Sequence, residues 1–216
     1  MKIGIIFDLD GTLLDTLEDL ADSVNYIMKS NGCPEHSIRA IRDMVGNGVR
    51  NLILQALPQE KKDMVDRILP DYREYYAAHS QDKTRPYTGI LAAVEALAKE
   101  YPIAVASNKP DPMVKPLCRE YFGDIYALGE RPECPKKPAP DMVWQVMAQL
   151  GVEKCVFVGD SEVDVVTAAN AKVPCLSVLW GFRDRDVLEA AGGKYFCQDP
   201  AELYDSIKEI IRKEGL

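Results

Sequence analysis

The sequence predicts an α/β fold in which a parallel sheet is covered by helices, with a small all-helical domain inserted after the first strand. Four short apolar runs are continuous rather than alternating: IGIIF (3–7), IAVA (103–106), CVFV (155–158) and CLSVL (175–179). Continuous apolar runs are typical of strands that are buried on both faces, as in a parallel sheet. A weaker fifth run, KYF, lies at 194–196. Helical patterns separate these runs, and such alternation favours an α/β architecture.

Four segments have the periodicity of amphipathic helices: 17–28, 89–99, 141–150 and 201–213. The first follows Thr16, which can cap a helix, and carries acidic residues in its first turn, where the helix dipole favours them. The third is followed by Gly151, a residue type that often ends helices.

The stretch from Thr16 to about Thr84 breaks the alternation, because it contains helical patterns and no convincing strand. A parallel crossover needs only about a dozen residues, so this stretch is far too long for one connecting helix. We therefore predict two domains. Residues 1–15 and 85–216 form the α/β core, and residues 16–84 form a helical cap.

Composition limits the partners that the protein can have. The 216 residues are 47% hydrophobic and carry a net charge of -8, so we expect neither nucleic acid nor a membrane as a partner. The first apolar run is too short for a signal peptide, and Asp8 interrupts it. No stretch approaches the roughly 20 apolar residues of a membrane helix, so we expect a cytoplasmic protein.

Polar residues follow three of the apolar runs at the point where each run ends. They are Asp8 and Asp10 after the first run, Ser107 and Asn108 after the second, and Gly159, Asp160, Ser161 and Asp164 after the third. Each residue alone can be read as a turn, a helix cap or a first-turn acid. Together they favour a site for one phosphate and one divalent cation, because parallel sheets bind ligands at the carboxyl ends of their strands.

Four segments resemble, in order, the four motifs of the haloacid dehalogenase-superfamily phosphatases. They are D-x-D-G-T at 8–12, a strand ending in Ser107, K-P-x-P-D at 137–141 and G-D-x-x-x-D at 159–164. The helical insert resembles the type 1 cap of that family. The resemblance implies a Rossmann-like core and a Mg²⁺-dependent phosphomonoester hydrolase that acts through an aspartyl-phosphate intermediate.

The resemblance assigns a role to each matched residue. Asp8 is the nucleophile, Asp10 is the general acid–base, and Lys137 supplies positive charge to the phosphate and to Asp8. The metal ligands are Asp8, the backbone carbonyl of Asp10, Asp160 and, directly or through water, Asp164. The phosphate-binding residues are Gly11, Thr12, Ser107 and Asn108.

Electrostatics independently calls for a cation. At ~4 Å, like unit charges repel by about 4 kcal/mol at an effective dielectric constant near 20. A carboxylate can therefore approach a phosphate only where positive charge is supplied, and oxygen ligands suit Mg²⁺.

Two further segments, MVGNGVRNLI (44–53) and LWGFRDRDVL (179–188), resemble the phosphoglycolate phosphatases within the superfamily. They favour a small phosphate ester similar to phosphoglycolate as the substrate. Arg50 is then a candidate partner for a substrate carboxylate. The alternative for Arg50 is a solvated arginine on a helix. We expect a monomer or a homodimer.

Two other functions fit part of the pattern. A β-phosphoglucomutase-like isomerase shares the core and the cap type, and would return the phosphoryl group to a sugar. A phospho-aspartate signalling receiver shares the acid cluster, but it has no place for the long insert. Dehalogenation does not need the second aspartate, Asp10, and phosphonate cleavage would need a lysine that the helix at 17–28 lacks.

Overall fold

The computed structural model describes residues 2–216 and contains one six-stranded parallel sheet and one small two-stranded sheet. The strands are β1 Ile3–Phe7, β2 Leu14–Asp15, β3 Arg85–Pro86, β4 Ile103–Pro110, β5 Tyr126–Glu130, β6 Lys154–Gly159, β7 Cys175–Val178 and β8 Tyr195–Cys197. The order in the large sheet is β5-β4-β1-β6-β7-β8, and all neighbours are parallel. The predicted fold class is confirmed.

Ten α-helices and two short 3₁₀ helices lie within residues 2–216. The α-helices are α1 Leu17–Ser30, α2 Ile38–Met44, α3 Val49–Ala56, α4 Val65–His79, α5 Ile90–Ala98, α6 Asp111–Phe122, α7 Asp141–Leu150, α8 Glu162–Ala171, α9 Arg185–Ala190 and α10 Leu203–Glu214. The 3₁₀ helices are Gln59–Met64 and Pro200–Glu202. None of these helices combines the length and the apolar composition that a membrane span requires.

The chain divides into two compact units. One contains Met1–Leu14 and Pro86–Leu216 and includes the large sheet, and the other is Asp15–Arg85 and contains α1 to α4.

The α/β unit is built around a central strand that is buried on both faces. In β1, Ile5 and Phe7 join the apolar cluster on one side of the sheet, and Ile6 joins the cluster on the other side. Side chains alternate between the faces of a strand, so a strand covered on both sides must be apolar at every position. This is why the IGIIF run is continuous.

The strand β5 is not among the strands that the apolar runs predict. Its residues, YALGE, lack a continuous apolar run, and in the large sheet it is an edge strand that pairs only with β4. Gly129 interrupts the run because a Cβ there would lie 2.5 Å from the Cα of Asp111 and 2.7 Å from the carbonyl oxygen of Lys109. The apolar pattern is therefore interrupted where the backbone of β5 lies close to the backbone of residues 109–111.

The helical unit buries the apolar face of α1 against α4. Val24, Ile27, Tyr72 and Tyr76 are all at most 1% exposed. A buried carboxylate, Asp19, accepts hydrogen bonds from the backbone and side chain of the segment at 83–84. Because a buried carboxylate must be satisfied by donors, Asp19 ties α1 to the end of this unit.

Candidate active site

Three buried carboxylates lie close together after β1 and β6. Asp8 follows β1, Asp160 follows β6, and Asp164 lies in the first turn of α8. The two strands are parallel neighbours, and the Asp8 N–H donates to the Val158 carbonyl at 2.8 Å, which carries the pairing past the end of β1. One carboxylate oxygen from each of the three residues lies within 4.8 Å of the other two. The sequence positions 8, 160 and 164 thus converge.

Lys137 is the cation within this acidic cluster. Its residue surface is 1% exposed, and its Nζ lies 2.9 Å from Asp8 Oδ1 and 2.7 Å from Asp164 Oδ1. Its backbone is held by the Asn108 side chain, which accepts from the Lys137 N–H and donates to the Lys137 carbonyl, both at 2.9 Å. The end of β4 therefore fixes the loop that brings the lysine to the carboxylates.

Burial and charge shift the pKa values of this group. Burial raises the pKa of Asp8 to about 7, Lys137 opposes this rise, and Asp164 and Asp10 add to it. Burial also raises the pKa of Asp160 well above its usual value, and the Asp164 and Asp8 charges reinforce this. For Lys137, burial alone would lower the pKa, but the Asp164 and Asp8 charges outweigh burial and hold the pKa above its ordinary value.

The donor set fits a divalent cation. Lys137 contacts two of the three carboxylates, and the neighbouring carboxylate charges add to the rise that burial causes in the pKa values of Asp8 and Asp160. The side-chain donors are all oxygen atoms, which are the ligands that hard cations such as Mg²⁺ prefer.

Asp160 is held in place by two segments from opposite ends of the chain. Thr12 Oγ1 donates to Asp160 Oδ1 at 3.0 Å, and the Phe182 N–H donates to Oδ2 at 2.7 Å. A Cβ on Gly181 would overlap Asp160 and the Gly11 carbonyl, and Gly11 itself has a φ of 82° and faces Asp160. The buried hydroxyl of Thr12, a residue predicted to bind phosphate, thus donates its hydrogen bond to Asp160 in this structure.

Asp164 uses both carboxylate oxygens within the protein. Oδ1 accepts from Lys137, and Oδ2 accepts from the Ser161 N–H at 3.1 Å and the Ser161 hydroxyl at 2.6 Å. Ser161 and Asp164 also form a capping box at the start of α8, so Asp164 stabilises the first turn of this helix as well. Asp164 therefore holds the Lys137 ammonium group in place through Oδ1.

The remaining predicted residues fall into two groups. Asp10 and Ser107 lie near the cluster: Asp10 Oδ1 accepts from Lys109 Nζ at 3.0 Å, and the buried Ser107 Oγ accepts from the Lys109 N–H at 3.3 Å. Arg50 lies in the helical unit, where its Nε and Nη2 donate to Asp66 at 2.8 and 2.9 Å. No pattern in the sequence singled out Lys109 or Gly181.

Comparison with known proteins shows the family. The sequence model of the family described as "Haloacid dehalogenase-like hydrolase" matches residues 5–178. The chain belongs to the haloacid dehalogenase-like hydrolases. It is 29% identical to the phosphoglycolate phosphatase of Mesorhizobium japonicum over 98% of this chain and 97% of that protein. It is 32% identical to the phosphoglycolate phosphatase of Pseudomonas fluorescens over 96% of this chain and 78% of that protein.

A crystal structure of a similar protein supports the same assignment. The protein is from Lactobacillus delbrueckii subsp. bulgaricus and is provisionally named a phosphoglycolate phosphatase. It is 34% identical, with a TM-score of 0.87 over 94% of this chain and 97% of that chain. With these relatives, the hydrolase described here is a phosphatase of the haloacid dehalogenase-like family.

Proposed function

We propose that this phosphatase hydrolyses a small phosphate monoester through an aspartyl-phosphate on Asp8, with Mg²⁺ as its cofactor. The observation that carries the proposal is the convergence of Asp8, Asp160, Asp164 and Lys137 in one buried cluster. A structural ion pair needs one cation and one anion, whereas this cluster has an excess of buried negative charge. Such an excess is typical of a site that a cation and a substrate complete.

The covalent chemistry belongs to Asp8 and Asp10. An Asp8 carboxylate oxygen attacks phosphorus, and the bond between phosphorus and the ester oxygen breaks as Asp10 gives that oxygen a proton. Asp10 then takes a proton from the water that attacks the phosphorylated Asp8, which returns Asp8 to its carboxylate form. Dividing hydrolysis in this way replaces one difficult step with two easier ones.

Other residues orient and stabilise these groups. Lys137 holds Asp8 by the 2.9 Å contact and offers positive charge to the phosphoryl oxygens. The Ser107 hydroxyl and the backbone N–H groups of Gly11 and Asn108 are the proposed donors to those oxygens. Thr12 contributes by fixing Asp160 through the 3.0 Å hydrogen bond.

The proposed cation ligands are Asp8, the Asp10 backbone carbonyl and Asp160, with Asp164 supporting Lys137 or binding through water. When bound, Mg²⁺ supplies the positive charge that lets an ionised Asp8 approach a phosphate. Without it, burial keeps the pKa of Asp8 near 7, so much of this carboxyl is protonated at neutral pH and cannot attack.

The test of the proposed function is a phosphate-release screen with Mg²⁺ over a panel of small phosphomonoesters, including phosphoglycolate and sugar phosphates. We expect release from phosphoglycolate to be among the fastest. A sugar phosphate that is isomerised without release of phosphate would instead favour a mutase. A long-lived phosphoprotein after acetyl phosphate treatment would favour a signalling role.

Removing the cation gives the first prediction. Excess chelator abolishes turnover, and added Mg²⁺ restores it, because Lys137 alone does not balance the three carboxylates of the cluster. Phosphate release from p-nitrophenyl phosphate measures the effect. Full activity after exhaustive chelation would remove the cation from the mechanism.

We further propose that residues 16–84 act as a cap domain that recognises the leaving group, with 1–15 and 85–216 as the catalytic core. Relatives named phosphoglycolate phosphatases favour a substrate with a carboxylate near its phosphate. Arg50 is the proposed carboxylate partner. Its present partner is Asp66, and the two side chains are 51% and 70% exposed, so solvent weakens their pair and a substrate can compete for the arginine.

Two matched variants test Arg50. Arg50→Ala raises KM for phosphoglycolate several-fold more than for glycerol phosphate, while Asp66→Ala frees the arginine and leaves KM equal or lower. If Arg50 serves only its pair with Asp66, both variants behave alike and neither changes the preference between these substrates.

A cytoplasmic location and a monomeric or homodimeric state stay predictions from the sequence.

A further inference from the structure

Lys109 is a buried lysine that lies beyond the residue specified by the second motif. It is next to last in β4, its side chain is 2% exposed, and its Nζ lies 3.0 Å from Asp10 Oδ1. Burying an ammonium group is costly unless a carboxylate compensates it. Here the compensating carboxylate is Asp10, whose side chain keeps 15% of its surface exposed. The buried cation therefore holds a carboxylate that still reaches solvent.

The backbone of Lys109 is fixed on both sides. Its N–H donates to the Ser107 hydroxyl oxygen at 3.3 Å. Its carbonyl oxygen lies where a Cβ on Gly129 would approach to 2.7 Å, so β5 packs directly against it. Because the Lys109 backbone is held in this way, the positions that its ammonium group can occupy are limited.

The two aspartates of the D-x-D motif, Asp8 and Asp10, each contact a different buried lysine. Lys137 contacts Asp8 and Asp164, and Lys109 contacts Asp10. This separation gives the two aspartates different surroundings although they are only two residues apart. Asp8 lies inside the acidic cluster, whereas Asp10 is held by a lysine on the neighbouring strand.

We propose that Lys109 is the positioning residue for Asp10: it binds Oδ1 and directs Oδ2 toward the oxygen of the leaving group. This inference rests on the proposed function, in which Asp10 is the general acid–base. In the first step the electron pair of the broken phosphorus–oxygen bond stays on the ester oxygen, which takes the Asp10 proton and leaves as an alcohol. In the second step a water proton returns to Asp10 while the water oxygen bonds to phosphorus and the Asp8 oxygen departs. Lys109 exchanges no proton in either step.

The test compares two substrates that differ in their need for a proton. The p-nitrophenolate group of p-nitrophenyl phosphate leaves as a stable anion, whereas the alkoxide of glycerol phosphate must be protonated. We expect Lys109→Met to lower kcat/KM for glycerol phosphate by about 10- to 100-fold, which is less than the full contribution of roughly 10²- to 10⁴-fold from general acid catalysis, and to lower it far less for p-nitrophenyl phosphate. A merely structural defect would lower both values by the same factor.

Further variants complete the design. Asp10→Asn shows the same selective loss, and the double variant Asp10→Asn with Lys109→Met is no worse than Asp10→Asn alone, because both act through one group. Lys115→Met is the matched control: Lys115 forms an exposed pair with Asp111, and its loss changes neither substrate. Lys109→Gln, with the same expected selective loss, replaces the methionine variant if that variant does not fold.

The outcomes separate this inference from the function on which it rests. A selective loss in Asp10→Asn but an equal loss for both substrates in Lys109→Met would overturn the role of Lys109 alone. An equal loss in Asp10→Asn would overturn the proposed role of Asp10 itself. If phosphoglycolate is assayed as a third substrate and only its kcat/KM falls in Lys109→Met, then Lys109 binds a substrate carboxylate, which also contradicts the inference.

Discussion

Asp8→Asn abolishes turnover while the protein stays folded. An amide of the same shape cannot attack phosphorus, and removing a nucleophile typically costs a factor on the order of 10⁴ or more in kcat. The loss applies equally to p-nitrophenyl phosphate and to alkyl phosphates, because every substrate needs the attacking group. This uniform loss distinguishes Asp8 from Asp10 and Lys109. Phosphate release under saturating Mg²⁺ measures it.

The stability of the same variant is equally informative. Burial raises the pKa of Asp8 to about 7, so the folded protein binds this proton more tightly than the unfolded chain does. As pH rises through 7, ionised Asp8 therefore destabilises the metal-free fold. Asp8→Asn removes that charge, and we expect metal-free Asp8→Asn to unfold at a temperature no lower than the wild type at pH 8.

A matched control distinguishes the effect of losing the Asp8 carboxylate from the general effect of replacing an aspartate with asparagine. Asp124 is exposed and precedes β5, at the opposite end of that strand from the site. Asp124→Asn keeps wild-type activity. An Asp8→Asn variant with activity within tenfold of the wild type would contradict the nucleophile assignment.

Much of the α/β unit could be predicted because apolar continuity is a local signal. The runs at 3–7, 103–106, 155–158 and 175–179 correspond to β1, β4, β6 and β7, with differences of a few residues at their ends. The strand β5 was not predicted because Gly129, which allows a close approach of two backbone segments, interrupts its apolar run. Edge strands in general are covered less completely, so their sequences are less constrained.

The acidic cluster could be predicted because parallel strands bring their carboxyl ends to the same edge of a sheet. The contacts that support the cluster could not, although Asn108 itself was among the predicted site residues. Phe182 acts through its backbone N–H, Asn108 acts on the Lys137 backbone, and Gly181 acts by having no side chain. Contacts of this kind depend on where loops meet, and residue type alone carries no signal for them.

The case of Thr12 shows the same limit at a motif position. The resemblance predicts a phosphate-binding residue, which stays a prediction, and in the structure the Thr12 hydroxyl donates to Asp160 at 3.0 Å. A motif specifies which residue is present, but it does not specify the hydrogen-bond partner of a side-chain hydroxyl. The partner of Thr12 is Asp160, which is 148 residues away in the sequence.

Lys137→Met has the largest expected effect on stability. Lys137 is the buried cation between Asp8 and Asp164, and its loss leaves three neighbouring carboxylates without an ammonium group. Breaking a buried charge pair by removing one partner typically costs about 3–5 kcal/mol. We expect the free energy of unfolding of the metal-free variant, measured with urea, to fall by an amount of this order, and turnover to be lost.

The pH dependence of this variant follows from the sign of the carboxylate shifts. Lys137 opposes the rise in the pKa of Asp8, so its removal raises that pKa further above 7. A carboxyl whose pKa is raised by folding stabilises the fold while it is protonated, and this stability is lost as pH rises through the folded pKa. Metal-free Lys137→Met therefore loses more stability than the wild type between pH 6 and pH 8, and Mg²⁺ restores part of it.

The control is Lys213→Met, which removes an exposed lysine paired with Glu209 on α10. Its stability should match the wild type at both pH values, with no response to Mg²⁺ beyond that of the wild type. If Lys137→Met behaved in the same way, the carboxylates would not depend on this lysine for charge balance. The excess negative charge from which we infer a cation site would then have to be relieved by protonation alone.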